Sequence, residues 1–170
     1  LVAWSPSGFE VGIIYEKRDL KKFIKYDINT KDKFEEPLPT QFQRINSMEF
    51  IDVNNLVFSA TVRGHSDIYR YYILNRTPQR LTNDHWDDLD VACTNIRGNR
   101  GILFASNRPD SMNVRMKLDT ILPIAKFDIF YLNLDAEDKT ELVRVTNTPY
   151  ANERQPAGID TLWFSYLSDE

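Results

Sequence analysis

The chain has 170 residues, 42% hydrophobic and 27% charged, enough for one domain with a buried core. Its net charge is −4 and its 21 Lys and Arg are spread along it, so no basic stripe marks a nucleic-acid partner. No apolar run approaches the roughly 18 residues of a membrane span, so the chain is not expected to cross a membrane.

The first 40 residues read as short runs of alternating apolar and polar residues cut by turns: "SPSG" (5–8), "VGIIYEKR" (11–18), "FIKYDINT" (23–30) and "EEPLPT" (35–40). The runs are too short and too rich in Val, Ile, Tyr and Phe for helices, and predict strands. The order then recurs. "DVNN" (52–55) leads into "NLVFSATVRG" (55–64), "DIYRYYI" (67–73) and "PQRLTND" (78–84). After an acidic stretch, "NDHWDDLD" (83–90), come "GILFASNRPD" (101–110), "DIFYLNL" (128–134) and "LVRVTNT" (142–148). The closing "TLWFSYLSDE" (161–170) supplies a partial copy. Tyr15, Phe58, Phe104 and Phe164 mark equivalent points at spacings of 43, 46 and 60, the last interval being lengthened by an insertion over 109–126.

Four short strands in each roughly 43-residue unit is the pattern of one β-propeller blade. The units run about 1–41, 42–84 and 85–149, with a partial unit at 150–170. The fold class predicted is all-β, a propeller portion of about three and a half four-stranded antiparallel blades in a single stretch, 1–170. Equivalent second strands are expected at 11–17, 55–60, 101–106 and 161–165. Propellers close with four to eight blades, so the rest of a larger propeller, or a second copy, is needed to close the ring. The chain opens on Leu1 rather than Met and is read as a segment of a longer protein.

The motifs "AWSPSG…IIYEKR…KYDINT" and "LFASNRPD…DIFYLNLD…VRVTNTP" resemble the WD40-like repeat of the TolB β-propeller family. That blade reads Ser-Pro-Asp-Gly, an apolar-Phe-Ser-Arg strand, Asp-Ile-Tyr and Leu-Thr. The resemblance covers essentially the whole chain. It departs where Ser5-Pro6-Ser7-Gly8 gives way to 52–55 and 96–99, and where Lys22 replaces Asp67 and Asp128. It implies a periplasmic or cell-envelope protein of Gram-negative bacteria with protein partners.

Candidate chemistry is sparse. Asp67 and Asp128 open the third strands; their repetition reads as structural, with turn backbone or Arg63 and Arg108 as partners. Asp84, Asp87, Asp88 and Asp90 crowd around His85, but lack the Gly turn and terminal Glu of an EF-hand loop. They read as a solvated inter-blade loop in which Trp86 packs, where Asp84→Ala would cost little. Cys93 lies in the alternating "LDVACTNI" and reads as a buried strand thiol. No nucleophile elbow, metalloprotease motif, phosphate loop or dinucleotide fingerprint is present. No catalytic residue, metal or cofactor is therefore expected, although a catalytic domain could lie outside this segment.

The function expected is a non-catalytic protein-interaction or scaffold module of a larger cell-envelope protein. The alternatives are a propeller that gates or binds substrate for a peptidase-type enzyme, and a carbohydrate-binding propeller. Successive connections of an antiparallel blade alternate between the faces of the disc. The insertion 109–126 therefore shares a face with the inter-blade loops, and Arg63, His65, Trp86 and Arg154 are the contact residues expected there.

Overall fold

Short β-rich runs separated by tight turns leave no option but antiparallel meanders. The computed structural model describes residues 1–96, 98–108, 126–136, 142–148 and 150–169. Apart from Lys126, the insertion 109–126 lies outside them. Among the described residues there are fourteen strands and no helix. β1 (Val2–Trp4), β2 (Glu10–Lys17), β3 (Leu20–Asp27) and β4 (Lys33–Pro37) form the first sheet in sequential order. β5 (Arg44–Asp52), β6 (Asn55–Val62), β7 (His65–Tyr72) and β8 (Thr77–Arg80) form the second. β9 (Asp88–Ile96), β10 (Asn99–Ser106), β11 (Asp128–Asn133) and β12 (Leu142–Arg144) form the third, and β13 (Glu153–Gly158) with β14 (Phe164–Ser168) the last. Every pairing is antiparallel. The fold is that of a propeller portion with three whole blades and a half-blade.

The connections follow local chemistry. β2 turns into β3 through Arg18 and Asp19, both at positive φ, and β6 turns into β7 through Arg63 and Gly64 (φ 53° and 85°). Two such residues in succession make the tight hairpin whose twist matches the strands on either side. The Ser5–Gly8 turn closes with Gly8 N–H donating to the Ser5 carbonyl at 3.0 Å. In the second blade Asp52 does that work, accepting from the Asn54 amide at 2.9 Å.

Packing explains why the second strands are almost continuously apolar. Leu56 to Ala60 on β6 and Ile102 to Ala105 on β10 are fully buried on both faces. Phe58 joins Phe23, Phe42, Phe50 and Tyr71 between the first and second blades. Its neighbour Val57 points the other way, into a layer with Val91, Ile102, Phe104 and Phe130. Leu103, Ala105 and Ile129 then face the half-blade, where Phe164 packs. Successive side chains on one strand thus serve successive interfaces.

Two sequence expectations shift. The last strand begins at Phe164 rather than 161, because the Asp160 carboxylate accepts from the Leu162 and Trp163 amides at 2.7 and 2.9 Å and holds those residues in a turn. The aromatic marker shifts with it. The bonds Asn107 N–H to Asp87 O and Asp169 N–H to Asn152 O are equivalent. Ser168 therefore matches Ser106, and Tyr166, not Phe164, matches Phe104.

Two stability predictions follow from this packing. Phe104→Ala should lower unfolding free energy by about 3–5 kcal/mol in urea melts, the usual cost of emptying a buried Phe site. Gly158→Ala should destabilise the joint of the half-blade, because a Cβ there would stand 2.6 Å from the Cys93 carbonyl oxygen, a backbone atom. Melts should show a lowered midpoint with no loss of strand content elsewhere.

Candidate functional site: the loop face

The repeated Asp-Ile pair is structural, and the structure shows what it does. Asp67 is fully buried and accepts from Arg80 Nη2 at 2.5 Å. The next residue, Ile68, donates its N–H to Thr82 Oγ1 at 2.9 Å, while its carbonyl accepts from the Leu81 amide at 2.8 Å. In the third blade Asp128 accepts from Arg144 Nη2 at 2.6 Å and from the Thr148 amide at 3.2 Å. Ile129 donates to Thr146 Oγ1 at 2.8 Å and accepts from the Val145 amide at 2.8 Å. One device, Asp-Ile on the third strand and Arg-x-Thr leaving the fourth, pins the exit from each of these blades.

This corrects the expected partners. Arg63 and Arg108 do not pair with the repeated aspartates; Arg80 and Arg144 do, because the registers Tyr69↔Arg80 and Phe130↔Arg144 bring them alongside. The first blade lacks the device. Its corresponding bond runs from the Leu38 amide to the Lys21 carbonyl, so Leu20 rather than Lys22 stands where Asp67 and Asp128 do. Lys22 pairs with Glu35 at 2.8 Å instead.

The acidic stretch 83–90 is not a solvated loop. Arg108, itself nearly buried, donates Nη2 to both Asp88 carboxylate oxygens at 2.6 Å and approaches Asp84 at 3.2 Å. Its Nε reaches Ser106 Oγ at 2.8 Å, and its guanidinium lies over the rings of Phe104 and Phe130 at 5.5 and 5.4 Å. Asp88 is fully buried, and its backbone carbonyl accepts from Ser59 Oγ of the second blade at 2.6 Å. Asp84 accepts from the Trp86 amide at 2.9 Å, and Asp87 from the Ser66 amide at 3.1 Å. Asp90 holds Arg154 and the Gln155 amide of the half-blade. The cluster is a set of inter-blade ties, so Asp84→Ala removes a turn bond and part of the Arg108 anchorage rather than a solvated charge.

The same bonds fix the loops of one face against each other. Asn107 N–H donates to Asp87 O at 3.4 Å, and the Asp87 amide returns a bond to Asn107 Oδ1 at 2.8 Å. Across the next joint the Glu153 amide donates to Phe127 O at 2.8 Å. Both flanks of the insertion, at Asn107 and Phe127, are therefore tied to inter-blade loops.

The four expected contact residues divide. Arg63 sits exposed in the β6–β7 turn, and His65 is exposed at the head of β7. Both line a cleft of about 480 Å³ with Gln41, Tyr69, Arg80, Asn83, Asp84 and His85. Trp86 is half-buried beside the cleft and does not line it. Arg154 stands elsewhere, ion-paired to Asp90 with its guanidinium 4.6 Å from the Phe127 ring centroid. His85 is the residue the sequence reading passed over: its ring meets that of His65 at 5.6 Å. The available signal was that these are the two His of the chain, both beside turns. Cys93, on β9, has its thiol pushed well up by burial, with the Glu49 carboxylate beside it adding to the shift. No cluster of three or more His, Cys, Asp or Glu able to hold a metal occurs among the described residues.

No family model and no curated protein sequence matches the chain. Its structure is similar to TolB from Acinetobacter baumannii, with a TM-score of 0.63 at 15% identity over 92% of this chain and 34% of that one. It is similar to a putative TolB from Agrobacterium tumefaciens, with a TM-score of 0.59 at 14% identity over 85% of this chain and 47% of that one. The chain has a TolB-like β-propeller fold. A puromycin-hydrolyzing peptidase from Mycobacterium tuberculosis is similar as well, with a TM-score of 0.68 at 11% identity over 98% of this chain and 25% of that one. The TolB-like chain thus spans between a quarter and a half of the structures it resembles. No helix among its described residues is long and apolar enough to cross a membrane.

Asp88 gives a pH test of the inter-blade tie. Burial pushes its carboxyl up to about 6, with the Arg108 guanidinium pulling against that shift. A carboxyl raised in the folded state binds its proton more tightly there than in the unfolded chain. Its contribution is therefore complete below the unfolded value of about 3.9 and is lost as the pH rises through about 6. Urea melts between pH 4 and pH 7 should show this decline, and Asp88→Asn should remove it. Arg108→Ala, which leaves a buried carboxylate unpaired, should cost about 3–5 kcal/mol at pH 7.

Proposed function

We propose that this chain is a non-catalytic β-propeller module, serving a larger bacterial cell-envelope protein as a recognition or scaffold surface for a protein partner. The observation that carries the reading is the braced loop face. The start of β7 is tied to the 81–87 loop and that loop to the Asn107 flank of the insertion, while the Phe127 flank is tied to Glu153 at the next joint, so none of them is left as an independent loop. A surface held in one geometry loses little freedom on binding, which suits it to recognition. The sequence carries no motif of a nucleophile, general base or phosphate loop beside it. The envelope setting rests on the TolB-like motifs, whose family works there. Ring closure by further blades, or by a second copy, belongs to the same proposal.

The test compares the two faces of the disc. Arg63→Glu reverses charge in the cleft, and Lys31→Glu reverses it in the β3–β4 turn on the opposite face. Partner capture from envelope extracts, followed by titration of the captured protein, should weaken about tenfold or more with Arg63→Glu, as for a contact worth 1.4 kcal/mol. Lys31→Glu should leave it unchanged. Loss with Lys31→Glu alone, or none with either variant, would place recognition off this face.

A further inference from the structure

The two His of this chain are twenty positions apart, on different loops, yet their rings meet at 5.6 Å between centroids with planes 62° apart. Both lie on the wall of the 480 Å³ cleft and both are exposed, so an ion can reach them from solvent. The geometry points to a transition-metal site: His65 and His85 as the two protein ligands of one borderline divalent cation, of the zinc, nickel or copper(II) class. This goes beyond the recognition reading and does not depend on it.

The distance carries the case. An imidazole nitrogen sits about 2.0–2.1 Å from a bound zinc, and the ring centroid about 1 Å behind the nitrogen. Two such rings around one four-coordinate ion have centroids roughly 5 Å apart, so the 5.6 Å separation here needs only a small side-chain adjustment to meet it. Imidazole nitrogens favour zinc, copper and nickel over the hard cations, which need many oxygens. The one carboxylate in the cleft wall, Asp84, is already taken by the Trp86 amide and Arg108. Of the two arginines, Arg80 is neutralised by Asp67. Arg63, on its turn, is exposed to solvent, which screens its charge. Water completes the shell, as befits a site with two protein ligands.

The backbone beneath the pair is held from both sides. His65 is fixed by its register opposite Val62 across the Arg63-Gly64 turn. The next amide, that of Ser66, donates to Asp87, which ties the start of β7 to the loop bearing His85. That loop is itself closed by the bond from the Trp86 amide to Asp84. The segments that carry the two imidazoles are therefore held side by side before an ion arrives, which favours a chelate over two single contacts.

The experiment titrates the purified full chain with zinc chloride and nickel chloride by calorimetry, and with copper(II) by electron paramagnetic resonance. Expected are one ion per chain and a copper spectrum with hyperfine splitting from two nitrogens. His65→Gln and His85→Gln should each weaken binding about a hundredfold or more, the loss when a chelate falls back to one ligand. Both positions are exposed, and circular dichroism of each variant checks that strand content is kept; should either lose it, His65→Asn and His85→Asn replace them. Undiminished binding in either variant, a one-nitrogen copper spectrum, or equal affinity in the double variant would overturn the site.

Discussion

Everything in this chain follows from a strand that must be buried on both sides. β6 and β10 lie at the middle of their sheets with apolar side chains pointing to either face. A four-stranded sheet cannot cover both faces of its own strand. Only a copy of the same sheet, placed face to face and turned to follow the twist, supplies a matching surface. The repetition of the sequence is the consequence of that constraint. So is the alternation by which Val57 and Phe58, adjacent on one strand, serve different interfaces.

Apolar faces alone would let blades slide over one another, since dispersion has no direction. Polar ties remove that freedom. Ser47 Oγ and the Glu49 carboxylate accept from the Val91 and Cys93 amides of the next blade at 2.9 and 2.5 Å. Ser59 Oγ reaches the Asp88 carbonyl, and Arg108 fills the space between Asp88, Asp84 and two aromatic rings. Burying that charge is tolerable because the guanidinium has carboxylate, hydroxyl and π-face partners together. The Asp88–Arg108 group sits where β9 begins and β10 ends, so the loops of that face are fixed in relation to one another. A recognition surface and a metal chelate both need that property.

The half-blade shows the constraint from its other side. Leu162, Trp163 and Leu167 are largely exposed, and Tyr166 keeps more than a third of its surface in solvent. Tyr166 and Leu167 match Phe104 and Ala105 of the third blade, and both of those are fully buried. At the opposite end Tyr15, equivalent to Phe58 and Phe104, is only half-buried and hydrogen-bonds Glu35 at 2.9 Å. These are the faces that a closed ring would cover.

The amino-acid sequence by itself determined the architecture. Period-2 runs, turn residues and a unit of about 43 residues admit a propeller blade and little else, because strand and turn chemistry act between neighbours in sequence. Tyr15, Phe58 and Phe104 were legible as equivalent for the same reason. The partners of the charged residues were not legible. Asp67 chooses Arg80 over Arg63 through the register of β7 on β8, and Asp88 chooses Arg108 through the bulged pairing of β9 with β10. A shift of one residue in either would send those side chains to the opposite face. Arg63 and His65 were legible as loop residues, but their meeting with His85 was decided only by how the second and third blades stack, and the separation of Arg154 from them by how the half-blade stacks on the third. Local patterning specifies elements, whereas ion pairs and clefts depend on distances between segments far apart in sequence, and only the tertiary structure sets those.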